Sequence, residues 1–184
     1  GTGTQKAEAA IEELDEEIKI LRMDQDSTAR KFAHEEILHD FAAGKANVLL
    51  GTQMVAKGHD IANVTLVGIL AADSQLNLPD FRAGEKTFNL LTQAAGRAGR
   101  GGKPGHVVLQ TYDADNEIIK LAARQDYDAF AKQELLVREE LLYPPFTQLL
   151  KITIVDRTQN TANVLAQRIV NYLQTIGVNE PNTD

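Results

Sequence analysis

Gln93-Ala94-Ala95-Gly96-Arg97-Ala98-Gly99-Arg100 closes a helical pattern that begins near Arg82, and it stands just ahead of the apolar run His106 to Gln110. On a helix, residues 93, 97 and 100 fall within a stripe about 60° wide. One amide and two guanidiniums on one face suit an anion with several oxygens, because arginine stays charged and binds phosphate through two bonds. Gly96 and Gly99 remove side chains that would hold a ligand away, and glycine inside a helix costs about 1 kcal/mol relative to alanine. A plain alternative stays open at this point. The same residues could be a solvated basic helix end favoured by the helix dipole, with Gly101-Gly102 as its cap.

Outward from this octapeptide the pattern alternates between strand and helix. Ile18 to Met23, Val48 to Leu50, Thr65 to Leu70 and His106 to Gln110 read as short strands, the middle two apolar enough to be buried on both faces. Thr4 is expected to cap a helix running to about Glu17, and Ser27 a second from Thr28 to Ala43 that Gly44 stops. A third helix is expected from about Arg82 to Arg97. This order predicts an α/β fold with right-handed crossovers and a mostly parallel sheet flanked by helices over residues 1–113. Residues 114–148 read as a helical and proline-rich connection, with a break near Gln125-Asp126 and an extended turn at Tyr143-Pro144-Pro145-Phe146. Residues 149–184 offer a strand, Leu149 to Val155, and an amphipathic helix, Thr161 to Ile176. That is too little to close a core, so this stretch is expected to be the truncated beginning of a C-terminal α+β domain. A start without Met at Gly1 and a polar end at Asp184 are expected of an excised fragment.

Composition narrows the function. The 184 residues are 43% hydrophobic and 24% charged, with no cysteine and a formal net charge of −7. No apolar run is long enough to span a bilayer as a helix. Without cysteine there is neither a disulfide framework nor a thiolate zinc site, and four scattered histidines predict no metal site. The acidity argues against a surface that coats nucleic acid broadly, though not against a local groove of basic groups or backbone amides.

Two further loops follow the logic of the octapeptide. Gly51-Thr52-Gln53-Met54-Val55-Ala56-Lys57-Gly58-His59-Asp60 leaves a strand at its carboxyl end, where α/β sheets place ligands. Thr52 offers a hydroxyl and an amide, Gly58 allows close backbone approach, and Asp60 offers a carboxylate to a ribose or an arginine. Gly1-Thr2-Gly3-Thr4 precedes a helix N-terminus, a natural seat for phosphate. Each could equally be an ordinary turn or helix cap. Asp15-Glu16-Glu17-Ile18 imitates an acidic metal-binding box, but it ends an acidic helix instead of a buried strand and is rejected. No Gly-x-x-x-x-Gly-Lys-Ser/Thr loop occurs, so these residues are not expected to hold Mg-ATP alone.

These residues carry a resemblance. Leu49 to Thr52 with Lys57 to Asp60 resembles motif V of superfamily 2 helicases, and Gln93 to Arg100 resembles motif VI, Gln-x-x-Gly-Arg-x-x-Arg. Arg30, Phe41 and Gly44 stand where the second RecA-like domain of that superfamily has them. Gly1 to Gln5, Gly51 to Asp60, Leu78 to Ala83, Ala95 to Gly101 and Tyr143 to Phe146 are similar, nearly word for word, to bacterial replication-restart helicases, from Gly1 to about Val155. The resemblance implies a RecA-like helicase domain 2 from a 3′→5′ DNA helicase that acts at stalled forks and helps to assemble the primosome.

By the same resemblance, Arg97 and Arg100 would be arginine fingers toward the γ-phosphate of ATP and Mg2+ held mainly by a first helicase domain outside this chain. Gln93 would couple the phosphate and DNA sites, and Gly58 and Asp60 would meet the nucleotide. Gly3, Thr4, Thr52 and Gln53 would contact the DNA backbone. The family's zinc-binding insertion, rich in cysteine, is absent here. Implied partners are forked or single-stranded DNA, the first helicase domain, single-stranded DNA-binding protein and primosome components, in the bacterial cytoplasm and away from membranes. The alternatives are a lobe of another superfamily 2 translocase, RecG-like or RNA-directed, and a non-catalytic DNA-binding or docking module.

Overall fold

The computed structural model describes residues 3–24, 33–52, 64–99 and 104–176. The chain falls into two compact units, Gly1–Leu141 and Leu142–Asp184. In the first, the order is α1 (Thr4–Glu12), β1 (Ile20–Met23), α2 (Ala33–Ala42), β2 (Val48–Gly51), β3 (Leu66–Ile69), α3 (Ala83–Ala95), β4 (His106–Leu109), α4 (Glu117–Arg124) and α5 (Tyr127–Glu140). β1 pairs with β2 and β3 with β4, both parallel, so the described strands form two short parallel pairs flanked by helices. The α/β class read from the sequence is the class observed.

Local chemistry sets the helix ends. α1 stops at Glu12, short of the expected Glu17, because the Asp15 carboxylate accepts the Glu17 N–H at 2.9 Å and holds a turn that competes with helix. Its N-cap is Gly3, and Thr4 is already the first helical residue. α2 runs into Gly44, whose φ of +75° an L side chain resists. The break between α4 and α5 is made by Gln125 in the left-handed region at φ 55° and by Asp126, whose carboxylate accepts the Ala129 N–H at 3.1 Å.

The core of this unit lies between α3, α4 and α5 and one face of β3–β4. Ala72, Phe88, Leu91, Ile119, Leu121, Ala122 and Phe130 are buried together, with Ile69 and Leu109 packed against them. The Phe88 and Phe130 rings stack at 4.1 Å with 8° between their planes, and Tyr127 meets Phe88 at 6.3 Å. Thus the 114–148 stretch, read from the sequence as a connection, contributes four of the seven core side chains. The double-sided burial expected of β3 does not occur among the described residues: Leu66 and Leu70 are 62% and 64% exposed. Leu66 and Gly68 alternate with half-buried Val67 and Ile69, so only one face of β3 is covered.

In the second unit, a turn at Tyr143–Phe146 is closed by the Phe146 N–H on the Tyr143 carbonyl at 3.0 Å. Leu149 to Val155, expected as a strand, joins no ladder among the described residues, and Leu150 and Val155 stand open to solvent. Extended backbone becomes a strand only when a neighbour accepts its N–H groups. α6 (Gln159–Thr175) follows, capped by the Thr158 hydroxyl, which accepts the Thr161 N–H.

Candidate functional site

The residues singled out by sequence lie at two different strand edges. At the carboxyl ends of β1 and β2, Met23 pairs with Gly51, so Asp24 and Thr52 are the next residues along paired strands. Thr52 is exposed, whereas Asp24 is buried. The Thr4 hydroxyl donates to Asp24 Oδ2 at 2.6 Å, and Arg22 Nε stands 2.9 Å from the same oxygen. Arg22 Nη1 in turn donates to Glu8 Oε2 at 2.7 Å. This network fastens the first turn of α1 to the end of β1, bringing Gly3 and Thr4 to the same end of the β1–β2 pair as Thr52.

The network also redirects the part Thr4 can play. Its hydroxyl proton is engaged by Asp24, so the hydroxyl has no proton left for a phosphate oxygen. The groups of the first turn with the chemistry to meet an anion are the main-chain N–H groups ahead of Lys6 N–H, which already donates to the Gly3 carbonyl at 3.0 Å.

Gln93 and Arg97 lie elsewhere, at the amino ends of β3 and β4. Gln93 is exposed in the last turn of α3. The helix ends at Ala95, and Gly96 caps it through its N–H on the Thr92 carbonyl at 2.9 Å. Arg97 therefore sits in the turn beyond the helix, its N–H on the Ala94 carbonyl at 3.1 Å, so the expected single helical stripe is not formed. The expected cost of helical glycine does not arise either, since neither Gly96 nor Gly99 is inside the helix. Gly99 takes φ +80° and its N–H donates to the Val64 carbonyl at 3.0 Å, which ties the turn to the residue pair leading into β3. Gln53, Gly58, Asp60 and Arg100 lie outside the described residues.

Gln93 and Arg97 carry donor groups, and a helix-end turn with a guanidinium has the chemistry to meet an anion with several oxygens. For Mg2+ the described residues offer no comparable set: among them no three His, Asp or Glu side chains converge. The chain's lack of cysteine removes the usual thiolate ligands for zinc.

Three features escaped the sequence reading. Asp24 is one, since a lone carboxylate after a strand carries no motif. Gly105 is another: a Cβ there would stand 2.1 Å from Gly99 N and 2.4 Å from the Ala98 carbonyl carbon. Its only sequence signal was Pro104-Gly105 before an apolar run, which reads as a turn. The third is Arg138, which binds Glu85 at 2.8 Å and Glu134 at 2.9 Å and lies 5.2 Å from the centre of the Phe81 ring. It joins α5 to the amino-terminal end of α3, the helix whose other end bears Gln93.

Beside it, Asp80 takes hydrogen bonds from Lys86 Nζ and the Arg82 N–H, which lower its pKa to about 2. A carboxylate shifted this way stabilises the fold fully above its ordinary value near 4, and that contribution is lost as pH falls toward 2. Asp80→Asn is therefore expected to flatten the fall in melting temperature between about pH 4 and about pH 2 relative to the unsubstituted protein. An unchanged acid profile would show that Asp80 does not contribute.

Residues 2–102 match the helicase conserved C-terminal domain, and the chain belongs to that family. Its relatives are more particular. It is 48% identical to the replication restart protein PriA of Bacillus subtilis over 174 residues, which cover 95% of this chain and 22% of that protein. It is 44% identical to the PriA of Chlamydia pneumoniae over 95% of this chain and 23% of the relative, and 42% identical to that of Synechocystis over 92% and 20%. The chain thus spans between a fifth and a quarter of the length of these relatives. Among the described residues no helix is long and apolar enough to cross a membrane.

Proposed function

We propose that the chain is the C-terminal motor lobe of an ATP-dependent 3′→5′ DNA helicase that restarts stalled replication forks in the bacterial cytoplasm. Arg97 and Arg100 act as arginine fingers on ATP bound with Mg2+ by the first helicase domain, and Gln93 links that phosphate to the DNA side. Gly58 and Asp60 face the nucleotide. Thr52 and Gln53, with the main-chain amides at Gly3 and Thr4, hold the DNA backbone. The observation that carries the reading is the Gln93–Gly99 segment, a helix end and turn bonded to the residue pair leading into β3, in a chain aligned to PriA proteins over nearly its whole length.

Chemically, the lobe supplies positive charge and positioning, and the bound nucleotide supplies the bond that is broken. Without the first domain this lobe has no phosphate-binding loop, so alone it is expected to hydrolyse no ATP. Single-stranded DNA-binding protein and primosome components are the partners this role calls for. In the full-length protein, duplex DNA carrying a 3′ single-stranded arm should be unwound with ATP. Duplex DNA carrying only a 5′ arm should not, as 3′→5′ movement requires, and duplex RNA should not. Unwinding of RNA duplexes at a comparable rate would transfer the lobe to the RNA-directed class.

A further inference from the structure

The geometry points to Gly105 as a positioning residue that acts through Arg97, a role that rests on the proposed action of Arg97 on the nucleotide. Leu66 and His106 are the first paired residues of the β3–β4 ladder, so Gly105 is the last residue before β4. The turn after α3 comes back to the same edge, with Gly99 N–H on the Val64 carbonyl at 3.0 Å and His106 N–H on the Thr65 carbonyl at 2.8 Å. Gly105 lies directly against this turn. A Cβ added to it would fall 2.1 Å from Gly99 N, 2.4 Å from Ala98 C and 2.5 Å from Gly99 Cα.

All three obstacles are backbone atoms, so no side-chain rotation relieves them. Gly105 itself has no positive φ, and alanine's own conformational preferences raise no objection there. The demand is spatial. Either β4 must give way, which its ladder with β3 resists, or the Ala98–Gly99 peptide must move. That peptide follows Arg97 directly, whose own N–H is held by the Ala94 carbonyl at 3.1 Å. Restoring ordinary contact requires a shift of about 1 Å, and a misplacement of that size at a catalytic group can cost about a hundredfold in rate. Gly68, in the middle of β3, is the matched control, because a Cβ added there would meet nothing within 4 Å.

The test uses the full-length protein with Gly105→Ala, Gly68→Ala, Arg97→Ala and the Gly105→Ala/Arg97→Ala pair. Steady-state ATP hydrolysis at saturating single-stranded DNA is measured at about 15 °C, with circular dichroism at the same temperature reporting whether each variant is folded. Gly105→Ala should lower kcat by about a hundredfold, with KM for ATP and Kd for an oligothymidylate within about twofold of the parent. Gly68→Ala should match the parent. In the Arg97→Ala background, Gly105→Ala should add no further loss, because both changes remove one group's action.

A parent-like kcat in Gly105→Ala, an additive loss in the pair, a parallel fall in DNA affinity, or failure of Gly105→Ala to fold at that temperature would each overturn the positioning role. If Arg97→Ala keeps parent-like turnover, the arginine reading itself fails, and that outcome is distinct from a failure confined to Gly105.

Discussion

Arg97→Ala in the full-length helicase should lower DNA-stimulated ATP turnover by about a thousandfold, the lower range for loss of an arginine finger. A guanidinium contributes most where charge develops on the transferred phosphoryl group, so the loss should appear in kcat more than in KM for ATP. Arg100→Ala should behave alike. Arg97→Lys should recover little, because an ammonium cannot reproduce the two parallel bonds of a guanidinium. Affinity for single-stranded DNA should stay within about twofold, since Arg97 is not among the residues proposed to hold the DNA backbone. The check is phosphate release at saturating DNA. Turnover within about threefold of the parent would remove the arginine-finger role.

The second large effect is on stability. Phe88→Ala should destabilise the first unit by about 3–5 kcal/mol, the range for removing a large buried aromatic side chain. Phe88 is 2% exposed, stacked on Phe130 and tilted against Tyr127, so its removal leaves a cavity bounded by α3, α4 and α5. Phe88→Leu, which keeps much of the volume, should lose less. Urea unfolding followed by circular dichroism separates the two. A midpoint unchanged in Phe88→Ala would mean that the stacked pair is not where the core's stability lies. Because the same helix carries Gln93, Phe88→Ala should also weaken ATP turnover at temperatures where the parent is still folded.

What could be read in advance follows from how local each cause is. The strands Ile20–Met23, Val48–Gly51, Leu66–Ile69 and His106–Leu109 and the helix Ala83–Ala95 are short-range patterns of apolar residues, and their types were legible. The end of α1 was not, because an Asx turn at Asp15 outcompetes helix over a stretch whose composition favours helix. Nor could spacing reveal that Gly96 ends α3 before Arg97, since spaced arginines look the same on a helix and in a turn. The core role of Ile119, Leu121, Ala122 and Phe130 depends on which helices meet in space, and periodicity alone does not supply that.

For the site, glycines and arginines announced the loops, and the parallel pairs put Thr52 at the end of β2 and Gly99 against the entry to β3. Thr4 was expected as a helix cap and part of a phosphate seat, yet its hydroxyl is bonded to Asp24, twenty residues away in sequence. Gly105 carried no motif, because its importance lies in the absence of a side chain against Ala98 and Gly99. Contacts between distant segments are what a single sequence conceals.

The most direct measurement is a structure of the full-length protein with single-stranded DNA and ADP–aluminium fluoride, a mimic of the phosphoryl group in transfer. The Arg97 guanidinium should then lie within hydrogen-bond distance of the fluoride ligands, across the cleft from the first helicase domain, with the DNA backbone along Thr52 and the first turn of α1. Arg97 turned away from the nucleotide, with the cleft closed and DNA bound, would contradict the arginine-finger role.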